Sequence, residues 1–91
     1  MNKGIQLVSI GFGNVVAASR VVSVVKASSA PVKRLMDGAE KEGRLVDATT
    51  GKRTRSVIVT DSNHVVLSSV KPSTIVARLA GSEAEEDGDG E

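Results

Sequence analysis

Short runs of β-branched residues, separated by glycines and polar turn residues, place the strongest restriction on how this chain folds. Runs such as VVSVV and SVIV are too short for helices and have the composition of strands. The predicted strands lie at about residues 4–10, 20–25 and 45–46, and in a hairpin at residues 56–70. Apolar pairs flank Ser23 on both sides, so we expect the second strand to be buried on both faces, which requires two covering layers.

The segment SSAPVKRLMDGAEKEG has the features of one amphipathic helix. Ser29 can cap its first turn, Pro31 lies where a missing N–H costs nothing, and Gly43 ends it. Its apolar residues recur at helical spacing and should form one stripe against the sheet: Val32, Leu35, Met36 and Ala39. A second, short helix is predicted from Ser73. Its apolar side comprises Ile75, Val76 and Leu79. The predicted fold is therefore α+β, a small antiparallel sheet with one main helix and a short C-terminal helix.

The charges of the chain are divided between two regions. Its twelve Lys and Arg residues and eleven Asp and Glu residues give a formal net charge of +1, but six of the acids lie in the last nine residues. Residues 1–80 therefore form a basic domain of charge +7. Residues 81–91 are predicted to be an acidic disordered tail, because they have almost nothing apolar to bury. Such a tail either aids solubility or competes with an anionic ligand for the basic domain.

The sequence lacks the combinations of residues that catalysis or metal binding would need. ATTGKRT is similar to half of a phosphate-binding P-loop, but Val46 stands where that motif needs a glycine and Arg53 where it needs Ser or Thr. After GFGN, Val16 replaces the third glycine of a dinucleotide fingerprint. His64 is the one histidine, and it lies across a predicted turn from Asp61 without a suitably placed nucleophile. There is no cysteine. We therefore expect no enzyme, no cofactor, no metal and no small-molecule substrate.

The segment TTGKRTR is the strongest candidate for a binding site. Lys52, Arg53 and Arg55 follow Gly51 with no acid between them, and Asp47 is the nearest carboxylate. Side chains of this kind are often merely solvated, but the guanidinium fork suits phosphate. A duplex nucleic acid fits such a loop better than a small phosphate, because phosphate contacts need neither a metal nor a catalytic partner. The alternative to a DNA-binding protein is an oligomeric scaffold whose basic loop binds RNA or an acidic protein.

Four longer motifs carry a resemblance to a known family. IGFGNVVAASR, SSAPVKR, DATTGKRTR and DSNHVVLSSVKP, in this order over residues 5 to about 80, resemble the RemA family of extracellular matrix regulatory proteins. The resemblance implies a DNA-binding activator of biofilm matrix genes that assembles into rings and bends and wraps double-stranded DNA. It also implies DNA contacts from Arg20, Lys52, Arg53 and Arg55.

The same resemblance implies where the protein works. The sequence has no apolar run near the roughly 20 residues that a membrane-spanning helix needs. Together with the implied DNA binding, this predicts a cytoplasmic, nucleoid-associated protein that has no membrane partner. The resemblance itself implies that the protein forms a ring-shaped homo-oligomer.

Overall fold

The computed structural model describes residues 5–81, and these form six strands and two helices. The strands are β1 (Leu7–Gly11), β2 (Asn14–Ala17), β3 (Val21–Lys26), β4 (Leu45–Asp47), β5 (Ser56–Thr60) and β6 (Val65–Ser68). The helices are α1 (Ala30–Lys41) and α2 (Pro72–Leu79). Apart from Gly81, the predicted tail lies outside the described residues, so both the tail and its boundary at residue 80 stay predictions. The ring involves several copies and likewise stays a prediction.

The strands form a hairpin and a four-stranded sheet. β1 and β2 pair as an antiparallel hairpin, and the larger sheet has the order β3-β5-β6-β4. β5 is antiparallel to β3, and it is antiparallel to β6 as the predicted hairpin at residues 56–70 requires. The expectation of a wholly antiparallel sheet is wrong, because β4 pairs with β6 in parallel. The physical reason is the crossover through α1, which returns the chain so that β4 runs in the same direction as β3.

The sheet is covered on both faces, which gives three layers. Alternate residues of β5 and β6 point to opposite faces, as the period of two requires. The core on one face, between the sheet and the hairpin with α2, contains Ile10, Ala48, Ile58, Val66, Val70 and Ile75. The core beneath α1 contains Ala39, Val57, Val65 and Leu67. The α+β class is thus confirmed.

Strand β3 shows where the prediction of two covered faces holds and where it does not. Val24 packs against the core on the hairpin side, and Val25 packs against the core beneath α1. Val22, in contrast, is 65% exposed. The pairing of β3 with β5 shifts register between Val21 and Ser23, which displaces Val22 from the regular alternation.

Helix α1 begins and ends as predicted. The Ser29 hydroxyl accepts a hydrogen bond from the Val32 N–H (3.3 Å), Pro31 lies in the first turn, and Gly43 follows the helix with a φ of +74°. Ala39 is buried, but Leu35 is exposed, so its predicted packing against the sheet is wrong. Leu35 lies about 60° around the helix from Val32, at the margin of the apolar stripe, and the core beneath α1 takes in Val32, Met36 and Ala39 but not Leu35.

Helix α2 begins at Pro72, one residue before the predicted start. Ile75 is buried and Leu79 packs against the core, as predicted. Val76 is instead exposed, whereas Thr74, which was not predicted to face the core, is buried. Among residues 5–81, neither helix is long and apolar enough to cross a membrane.

Candidate nucleic-acid interface

The predicted binding segment lies in a loop that crosses the end of β6. This segment, residues 48–55, is called the basic loop below. Because β4 and β5 lie on opposite sides of β6, the loop must pass over the end of that strand. It is held at both ends, where the Ala48 N–H donates to Leu67 O (3.0 Å) and the Arg55 N–H donates to Ser68 O (2.8 Å). The loop is therefore fixed to the core on either side of its cations.

A tight turn presents the first two cations of the basic loop. The Lys52 N–H donates to Thr49 O at 2.9 Å, while Thr50 and Gly51 between them have φ values of +50° and +84°. Two consecutive positive φ values are typical of a type I′ turn, and a glycine adopts this conformation without the strain that a Cβ brings. Thr49 is buried, whereas Lys52 and Arg53 are exposed. The turn thus anchors its base in the protein and directs both cations to solvent.

Asp47 caps the turn and does not pair with the cations. Its Oδ1 accepts hydrogen bonds from the Thr49 N–H (2.9 Å) and the Thr49 hydroxyl (2.6 Å). The hydroxyl bond, and then the N–H bond, hold the pKa of Asp47 below its ordinary value of 3.8. The ion pairs found among residues 5–81 join Arg20 to Asp61 and Arg44 to Glu42, and neither includes a lysine or arginine of the turn.

An open groove of about 390 Å³ brings cations from three parts of the chain together. Arg53 and Arg55 come from the basic loop, Lys26 ends β3, and Lys71 precedes α2. The remaining lining residues are Ala27, Ser28, Thr54 and Pro72, so none of the carboxylates within residues 5–81 lines it. These four cations define the cationic groove. An anion placed in it would meet positive charge from several sides, without a carboxylate among the described residues that line it.

Strand pairing explains why Lys26 joins the groove. Lys26 lies opposite Ser56 in the β3–β5 ladder, and the next residue, Ala27, donates its N–H to Arg55 O (3.3 Å). Lys71 is brought close by the hydrogen bond between Arg55 and Ser68, because it follows Ser68 by three residues. Sequence reasoning missed Lys26 and Lys71. The sequence showed that Lys26 lies at the end of a predicted strand and that Lys71 lies before a predicted helix. Neither position indicates that the residue lies next to the basic loop in the folded chain.

The four residues predicted to contact DNA do not all lie together. Arg53 and Arg55 line the groove, and Lys52 is adjacent to it in the turn. Arg20 precedes β3, at the end opposite Lys26, and six residues of a strand span about 20 Å. Its Nε donates to Oδ1 of Asp61 (2.8 Å) and to Oδ2 (3.0 Å). Arg20 therefore lies apart from the cationic groove, and its positive charge is paired with the carboxylate of Asp61.

The hairpin turn between β5 and β6 contains the histidine. His64 Nδ1 contacts the Ser62 hydroxyl at 2.8 Å, while the carboxylate of Asp61 is directed to Arg20. A catalytic triad would need the carboxylate to orient the imidazole. Within residues 5–81, no three His, Cys, Asp or Glu side chains lie close enough together to hold a metal ion.

Comparison with known proteins places the chain among regulatory proteins. The RemA-like family, described as extracellular matrix regulatory protein A-like, matches residues 7–79. A protein of Heliobacterium modesticaldum is 53% identical over 85 residues, which cover 93% of each chain. Another, from Clostridium botulinum, is 54% identical over 83 residues and 91% of each chain. Both relatives are named for a proposed regulatory role. The matched residues include all four cations of the cationic groove, and we conclude that the chain belongs to the RemA-like family.

Proposed function

We propose that this protein is a regulator of transcription that binds double-stranded DNA through the cationic groove and the adjoining turn. The observation that carries the proposal is the convergence of Lys26, Arg53, Arg55 and Lys71 on one open groove that no carboxylate of residues 5–81 lines. Membership of a family described as regulating extracellular matrix supports the regulatory part, with genes for a biofilm matrix as the proposed targets. In this role the protein acts in the cytoplasm, on the nucleoid.

The chemistry of the groove favours phosphate. Arginine presents two N–H groups in one plane that match two phosphate oxygens, whereas lysine adds a point charge. Arg53 and Arg55 supply the planar groups, with Lys26 and Lys71 beside them. Phosphate contacts fix the position of a duplex but do not read its sequence, so specificity would come from the shape and deformability of the DNA.

Assembly of several copies would turn a weak site into a strong one. One chain offers about four phosphate contacts from its groove, and each further copy on the same duplex binds at a high effective concentration. An apolar surface is available for such assembly. Leu7 of β1 and Val15 of β2 lie on the outer face of the hairpin, Ile5 lies two residues before Leu7, and all three are more than half exposed. We propose that this face contributes to the contacts between subunits of a ring around which DNA is bent and wrapped.

Duplex binding by matched variants tests the proposal. Fluorescence anisotropy with a labelled duplex measures the affinity of the wild type and of Lys26→Gln, Arg53→Gln and Lys33→Gln. Lys33 is an exposed lysine of α1, so its replacement removes the same charge outside the groove. We expect the two groove variants to lose affinity about five- to tenfold at low salt, from one charged contact each, and the α1 variant to change less than twofold.

Competition with structured RNA separates the proposal from its alternative. If duplex DNA displaces RNA at matched salt, the DNA assignment holds. If RNA binds far more tightly than DNA, or if all three variants lose affinity equally, the proposal is wrong.

A further inference from the structure

We propose that the acidic C-terminal segment, residues 83–91, binds in the cationic groove of its own chain and competes there with DNA. The segment carries six carboxylates in nine residues: Glu83, Glu85, Glu86, Asp87, Asp89 and Glu91. The competition rests on the proposed function, because it assigns a second, internal ligand to the same groove. The contact itself does not depend on DNA.

Charge complementarity supports this pairing. Residues 5–81 contain eleven Lys and Arg residues but five acids, and three of those acids are already engaged. Asp61 pairs with Arg20, Glu42 pairs with Arg44, and Asp47 caps the turn. The other two acids, Asp37 and Glu40, lie on α1. The C-terminal segment is thus the one dense source of negative charge in the chain that can offset the groove.

The length of the chain allows the contact. Pro72, the first residue of α2, lines the groove, and α2 then rises about 12 Å over its eight residues. An extended chain spans up to about 3.5 Å per residue, so roughly four residues beyond Gly81 return to the groove. The acids from Glu85 onward can therefore reach the groove. Glu83 is too close to Gly81, because two extended residues span only about half of the 12 Å back to the groove. Gly81 has a φ of +87°, a left-handed conformation that turns the chain away from the helix axis.

Other cations near the segment are less favourable partners. Arg78, in the last turn of α2, donates from Nη1 to Ser9 O at 3.0 Å. The cations of α1 share their helix with Asp37 and Glu40, which would repel an acidic segment. A short tether gives the segment an effective concentration in the millimolar range, so even weak binding would fill much of the groove.

Zero-length cross-linking of the full chain without DNA tests the contact. A carbodiimide joins a carboxylate to a lysine amine only when the two are in contact, and mass spectrometry identifies the linked pair. We expect links from Glu85–Glu91 to Lys26 and Lys71, with few to Lys33 and Lys41 of α1. A mixture of isotope-labelled and unlabelled protein shows whether both ends belong to one chain. Links mainly to α1, links mainly between chains, or no links would each overturn the proposal.

DNA affinity tests the competition with two variants of equal charge. Glu86→Gln with Asp87→Asn neutralises two acids of the segment, and Asp37→Asn with Glu40→Gln neutralises two acids of α1. We expect the segment variant to bind duplex DNA about tenfold more tightly at low salt, since it frees the groove, and the α1 variant to change less than twofold. Equal gains would show a general charge effect and contradict competition.

The two assays also separate this inference from the proposed function. If links to Lys26 form but no variant binds DNA, the internal contact stands and the DNA assignment fails. If DNA binds through the groove without such links, the competition proposal fails on its own.

Discussion

Replacing Ser68 with alanine should lower the free energy of unfolding by about 2–4 kcal/mol, whereas the same change at Ser69 should not lower it. Both serines are buried at the end of β6. The Ser68 hydroxyl donates to Ile10 O (2.9 Å) and accepts from the Val70 N–H (3.0 Å), which joins the β1–β2 hairpin to the segment before α2. Among the residues that the structure describes, the Ser69 hydroxyl has no hydrogen-bond partner.

The magnitude follows from the groups that each substitution leaves behind. Ser68→Ala removes the partner of one buried carbonyl and one buried N–H, and each such loss costs about 1–3 kcal/mol, partly offset by relaxation. Ser69→Ala removes a buried hydroxyl that forms no bond, so the protein should be unchanged or more stable by up to about 1 kcal/mol. For a domain of this size, 1 kcal/mol shifts the Tm by roughly 4–8 °C.

Thermal and urea unfolding followed by circular dichroism measure both variants. The protomer concentration must be the same throughout, because assembly makes the Tm depend on concentration. Ser68→Ala should melt roughly 8–32 °C below the wild type, and Ser69→Ala at or above it. If the two variants melt at the same temperature, the hydrogen bonds of Ser68 do not hold the hairpin in place, and the reasoning is refuted.

Three further predictions concern the turn and Arg20. Thr50→Asn should stabilise the protein by about 0.5–1 kcal/mol, because asparagine tolerates a positive φ better than a β-branched residue; a lower Tm would contradict this. Asp47 should titrate below 3.8 by carboxyl NMR and move towards 3.8 in Thr49→Val, so its stabilising contribution is present above pH 3.8 and lost as pH falls through the lowered pKa. An unmoved midpoint would exclude the hydroxyl bond as the cause. Asp61→Asn should release Arg20 and tighten DNA binding about twofold, with a stability change below about 1 kcal/mol; unchanged affinity would remove Arg20 from the DNA contacts.

Local signals in the sequence were sufficient to predict several elements of the fold. The cap at Ser29 and the proline at position 31 depend on neighbouring residues alone, so the start of α1 was predictable. The same holds for the β5–β6 hairpin, whose polar turn lies between two β-branched runs. The exposure of Leu35 was not predictable in this way, because helical spacing places it on the stripe without showing how far around the helix the core contacts extend.

Pairing between distant strands was not readable from the sequence. Nothing in the residues of β4 indicates that it would join β6, eighteen or more residues later, in parallel. For the same reason, the cationic groove could be predicted only in part. The run of cations in the basic loop was visible, but Lys26 enters the groove only through the β3–β5 pairing and Lys71 only through the contact between Arg55 and Ser68.

The dependence of duplex affinity on salt tests the central claim most directly. If the cationic groove binds DNA phosphates, the plot of log K against log salt should have a slope of about −3.6 or steeper, from at least four contacts. Arg53→Gln should reduce the magnitude of that slope by about 0.9 or more, and Lys33→Gln should leave it unchanged. A slope near zero, or the same reduction in both variants, would contradict the assignment of the groove.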